Sequence, residues 1–176
     1  MEAFPYLEVL KLHGHITHQW QSKPLQHNFL KTLIIETPYN ATLSKICALD
    51  LPALEYLEVW GDRSVSAATS VLTGRLFPNL SYLGLPSFEY TDKLAGAIAQ
   101  SPILVRLTVL DISLGNLTDK GAEILLKCPA INRLHTLNVA KNCLSTEMVQ
   151  RLSKLNCRVI AEPQYESEHR YYALYE

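Results

Sequence analysis

The chain has 176 residues, with 16 basic and 17 acidic side chains, a formal charge of −1 and 48% apolar residues. One domain's length with that apolar share excludes wholesale disorder. The balanced charge removes the usual electrostatic ground for a nucleic-acid or anionic-membrane partner. No segment approaches the roughly 18 consecutive apolar residues of a membrane span, and Met1-Glu-Ala-Phe-Pro-Tyr6 lacks the basic flank and apolar run of a secretory signal. A cytoplasmic protein is expected, provided this chain is the whole gene product. Cys47, Cys128, Cys143 and Cys157 form no C-x-x-C pair and are expected as reduced thiols.

From the N-terminus onward one pattern recurs. L-x-x-L-x-L, with Ile or Val allowed at the last place, occurs as Leu7/Leu10/Leu12, Leu30/Leu33/Ile35, Leu54/Leu57/Val59, Leu80/Leu83/Leu85, Leu107/Leu110/Ile112 and Leu134/Leu137/Val139. The first leucines stand 23, 24, 26, 27 and 27 residues apart. Each occurrence predicts a short strand with its leucines on one face, because side chains alternate along a strand. Between strands the chain reads as helix. Thr91-Asp92-Lys93, Thr118-Asp119-Lys120 and Ser145-Thr146-Glu147 put cap-type side chains at the start of helical runs. In those runs Ala95/Ile98/Ala99, Ala122/Leu125/Leu126 and Val149/Leu152 mark an inward face. Pro52, Pro78, Pro102 and Pro129 end such segments and lead the chain toward the next strand. Arg158-Val-Ile160 reads as a last strand, so residues 1–160 form about six to seven units and 161–176 a polar capping tail.

The sixth unit, Leu134-His-Thr-Leu137-Asn-Val139-Ala-Lys-Asn142-Cys-Leu144, matches L-x-x-L-x-L-x-x-N-x-L at every fixed place. The chain resembles the leucine-rich-repeat superfamily over essentially its whole length, and its longer units are similar to the ribonuclease-inhibitor-like subtype. Its last 70 or so residues, with Leu117-Thr-Asp-Lys-Gly121-Ala-Glu and the closing Arg170-Tyr-Tyr-Ala-Leu-Tyr-Glu, are similar to the C-terminal part of uncharacterised bacterial leucine-rich-repeat proteins. The resemblance implies an α/β solenoid forming a short arc, with a parallel concave sheet and helices on the convex side. It also implies that the asparagine ties down the loop. His15, Pro38, Asp62, Phe88 and Gly115 stand at that place in the other units, so looser turns are expected there. No unit can bury its leucines alone, and Leu110→Ala or Leu137→Ala is expected to cost about 2 to 5 kcal/mol through the cavity left behind.

The front end offers no capping element before Leu7. The edge of the sheet there is expected to be covered by an earlier part of a longer protein or by another chain, with self-association through that edge as one outcome.

The places between the leucines point away from the core and line the concave face. Tyr56, Trp60 and Tyr82 fall together there with Glu36 and Glu58, and Lys11 and Asp111 lie in the same central row. Exposed aromatics beside carboxylates have the composition of an interaction hot spot; cross-strand packing of a solvated sheet accounts for them equally well. His13, His15, His18 and His27 crowd the first unit but lack a recognisable ligand spacing, so they read as solvated loop residues rather than a metal site. Phosphate-cradle, nucleophile-elbow and zinc-helix motifs are missing. Lys127 and Arg158 stand beside Cys128 and Cys157, without a motif around either thiol. The expected function is a non-catalytic scaffold without metal or cofactor, binding a protein or peptide on the concave face. The alternative is a C-terminal regulatory or specificity module of a longer enzyme or effector.

Overall fold

The leucines set the architecture, and they set it in register. The computed structural model describes residues 4–14, 26–36 and 42–165. Seven strands, β1 (Val9–His13), β2 (Thr32–Glu36), β3 (Tyr56–Val59), β4 (Tyr82–Gly84), β5 (Val109–Asp111), β6 (Thr136–Asn138) and β7 (Arg158–Ile160), form one parallel sheet in chain order. Leu10, Leu33, Leu57, Leu83, Leu110, Leu137 and Val159 lie in a single row across it. From Leu33 to Leu137 that row is at most 1% exposed. At about 4.8 Å per strand the sheet is roughly 29 Å wide.

The helices α1 (Thr42–Ile46), α2 (Val65–Leu72), α3 (Thr91–Ala99), α4 (Asp119–Leu126) and α5 (Thr146–Leu152) contribute the other half of the core. Ala68, Val71, Leu94, Ile98, Leu125 and Leu152 are at most 2% exposed. Thr118 and Ser145 cap α4 and α5 as expected. Thr91 instead is the first residue of α3 and turns its hydroxyl to the Phe88 carbonyl at 2.8 Å. Asp92 and Asp119 reach forward one unit. Asp92 accepts from the Thr118 backbone N–H (2.8 Å) and hydroxyl (2.7 Å), and Asp119 from the Ser145 N–H (2.9 Å). Pro102 and Pro129 do not lead directly into strands. They open the 3-10 helices Pro102–Val105 and Pro129–Arg133, where a missing N–H costs nothing.

The loops are held more firmly than the sequence pattern suggests. Asn142 is fully buried; its amide donates to the carbonyls of Ile112 and Val139, both at 3.0 Å, and its oxygen accepts from Leu117 N–H at 2.9 Å. The looser turns expected elsewhere are not found in units three to five, because other side chains take over the task. Buried Asp62 accepts from the N–H groups of Leu43 (2.8 Å), Arg63 (2.7 Å) and Ser64 (2.7 Å). Thr91 and Asn116 bond each other's backbone and side chain reciprocally, at 3.0 and 3.1 Å. Gly115 makes that pair possible, since a Cβ there would collide with the Thr91 hydroxyl. One place earlier, Gly14, Gly61, Ser87, Leu114 and Lys141 all adopt positive φ, between 55° and 102°, and turn the chain out of the sheet.

The described part of the expected polar tail continues the repeat. Ala161 is buried, and Gln164, which the β6–β7 register aligns with Asn142, accepts from the N–H groups of Asn142 (3.1 Å) and Leu144 (3.2 Å). Residues 166–176 lie outside the described residues. At the other end Leu10 and Leu12 are only half-buried, and Phe4, Tyr6 and Val9 are 64%, 76% and 58% exposed. His27 is not a solvated loop residue: it is buried, with its ring nitrogen 3.0 Å from the Phe4 carbonyl. His15 and His18 lie outside the described residues.

Three substitutions separate loop from helix effects in urea unfolding. Asn142→Ala leaves several buried groups without partners and is expected to cost about 3 kcal/mol. Gly115→Ala should cost about 1 to 3 kcal/mol by overpacking. Gly96→Ala, inside α3 with nothing within 4 Å of the new methyl, should instead gain about 0.5 to 1 kcal/mol.

Candidate functional site

Opposite the leucine face, the residues between the leucines form the open face of the sheet. The register places Tyr56 beside Tyr82, and Glu58, Gly84 and Asp111 side by side in the next row. Adjacent strands bring the two tyrosine rings into a stack, centroids 3.8 Å apart and planes 12° apart. Glu58 binds the group together. Its carboxylate accepts from the Tyr56 hydroxyl (2.5 Å), the Trp60 indole N–H (2.5 Å) and the Tyr82 hydroxyl (3.3 Å). Gly84 provides the room, since a Cβ there would stand 3.0 Å from Glu58 Cγ and 3.1 Å from Tyr82 Cε1. All three aromatics are half-buried rather than exposed.

The other site residues divide into two groups. Glu36 does not join the aromatics; it pairs with Lys11 Nζ at 2.7 Å and His13 Nδ1 at 3.0 Å, both from β1. Asp111, two strands from Glu58, accepts from Ser113 N–H (2.9 Å) and the Asn138 amide (2.7 Å). Gly84 and Asn138 are the contributors that residue-type reasoning passed over. The signal for Gly84 was present, as the only glycine in the central row of strand positions between the leucines.

Burial raises the Tyr82 phenol to about 12; Asp111 and Glu58 add to the rise, and the Tyr56 hydroxyl partly offsets it. Tyr56 is raised further, by burial and by its bond to Glu58. For Glu36 the desolvation that would raise its pKa is outweighed by Lys11 and His13, so its carboxyl is lowered.

Elsewhere a cleft of about 590 Å³ lies between the starts of α4 and α5, near Cys143, Gln164 and Tyr165. Its polar groups are largely engaged with one another, as the Asp119–Ser145 bond illustrates. None of the four cysteines is in a disulfide; burial raises the Cys157 thiol despite its basic neighbour, and raises Cys47 to about 11. Among the described residues no group of three or more His, Cys, Asp or Glu side chains could hold a metal, and no helix is long and apolar enough to cross a membrane.

No family model matches the chain, and no curated protein does. Among solved structures it is similar to a structural-genomics protein of Bacteroides fragilis, with 27% identity and a TM-score of 0.79, over 87% of this chain and 46% of that one. An internalin of Listeria monocytogenes matches at 17% identity and a TM-score of 0.47, over 78% of this chain and 36% of that one. The chain thus spans less than half the length of either structure. The repeat, the single parallel sheet and the in-register leucine row decide the architecture. The fold is a leucine-rich-repeat solenoid.

The shifted groups give a pH signature. With its folded value near 12 and an unfolded value near about 10, Tyr82 contributes stability that is present below pH about 10 and is lost as pH rises toward 12. Glu36, lowered in the fold, contributes above its unfolded value and loses that contribution on acidification. Tyrosinate absorbance during alkaline titration should show two tyrosines lagging the rest, with the lag abolished in urea and reduced in Tyr82→Phe.

Proposed function

We propose that this chain is a non-catalytic scaffold that holds a protein or peptide on the open face of its sheet, with Tyr56, Trp60 and Tyr82 as the principal contacts. One observation carries the reading: a single carboxylate, Glu58, ties all three aromatic side chains into a fixed arrangement on a face that the core does not need. Aromatic side chains held in place before binding lose little freedom on association, which is what gives a few residues most of an interface's energy. Glu58 acts here as the positioning group. Lys11 and Glu36, already paired with each other, lie at the margin of the patch.

A second reading makes this solenoid one module of a longer chain whose other part carries an enzyme or effector. It is favoured by the half-buried leucines of β1, where a further repeat would stack, and by the 46% coverage of the Bacteroides fragilis protein. The mass of the native gene product on an immunoblot separates the two.

Affinity purification from the source organism with the wild type, a Trp60→Ala/Tyr82→Ala variant and a Lys127→Ala control on the helical side tests the first reading. Partners should be retained by the control and lost from the folded double variant. Recovery of the same partners in equal amounts by all three would sink the patch.

A further inference from the structure

The charges on the open face are distributed unevenly. Glu36 is paired within the chain with Lys11 and lies within hydrogen-bond distance of the His13 ring. Among the described residues, Glu58 and Asp111 receive only neutral donors, from Tyr56, Trp60, Tyr82, Ser113 N–H and the Asn138 amide. Among the described residues neither has an ion pair. Their strands flank β4, so their backbones stand about 10 Å apart, and the residue between them in the register is Gly84. No Lys or Arg stands at the inter-leucine places of β3, β4 or β5. The result is two half-buried carboxylates on either side of β4, where the glycine lets Glu58 and the edge of Tyr82 lean over the strand, with the Tyr56–Tyr82 stack along one side.

We infer that the occupant of this face is a partner segment presenting an arginine, its guanidinium lodged between Asp111 and Glu58, bonded to both carboxylates and resting against Tyr82. The inference rests on the open-face reading above and names the chemistry that face selects. Arginine fits better than lysine on three grounds. Its planar fork offers five donors to two separated carboxylates. It sheds water more readily than an ammonium at a half-buried place. Its flat face suits an aromatic wall. Burial is the main cause of the raised Tyr56 and Tyr82 pKa values, and the Glu58 charge beside both rings adds to it.

The probe is a phage-displayed random 12-residue library selected on the immobilised chain, with synthetic copies of the selected peptides then titrated by fluorescence polarisation. The peptides should share an arginine whose replacement by citrulline, which keeps the shape and removes the charge, weakens binding about tenfold or more. Asp111→Asn should weaken binding to a similar degree, Glu36→Gln should leave it nearly unchanged, and added salt should reduce it. If Asp111→Asn fails to fold, the citrulline peptides on wild-type protein decide the matter. Peptides that lose binding to Trp60→Ala yet tolerate citrulline and show no arginine preference would overturn this inference while leaving the open-face reading intact. Peptides indifferent to both Trp60→Ala and Tyr82→Ala, or no selected peptide at all, would overturn both.

Discussion

Everything in this molecule depends on leucines that their own repeat cannot cover. A three- to five-residue strand with a short helix behind it has too little surface to enclose its own apolar residues, so Leu57 or Leu110 reaches zero exposure only because a neighbouring strand lies on either side of it. The consequence is strict registration. A slip of one residue would send the leucines to the open face and the tyrosines and carboxylates into the core.

That dependence explains what could be read in the sequence. The spacing of the L-x-x-L-x-L units carried strand position, parallel pairing, register and the residues of both faces, because burial of a periodic side chain leaves a periodic trace. The loops left no such trace. Asp62, the Thr91–Asn116 pair and Gln164 all satisfy loop backbone that the asparagine place was expected to serve, using different side chains from different places. Hydrogen-bond satisfaction constrains the outcome, not the residue type. His27 escaped for a related reason: its burial follows from the position of Phe4, far from it in sequence.

The candidate site shows the same division. That Tyr56, Trp60, Tyr82 and Glu58 share a face follows from alternation and register. Which of the two nearby glutamates ties the aromatics together does not, because it depends on side-chain reach over a strand. Glu58 can lean across β4 only because residue 84 is glycine, while Glu36 finds Lys11 and His13 on the preceding strand. The charge inventory of the face was legible; its cancellation was not.

The unequal lengths of the units have a geometric consequence. Strands stack about 4.8 Å apart and packed helices about 8 to 10 Å apart, so a unit with a full helix is a wedge, whereas one with little helix is nearly a flat slab. The wedges here are the units of β3, β4, β5 and β6, which are followed by helices of eight, nine, eight and seven residues, while β2 is followed by a helix of five. The wedges therefore lie behind the stretch of sheet that carries Tyr56, Glu58, Trp60, Tyr82 and Asp111. The helices on the far side of the molecule thus hollow the surface on which those side chains stand.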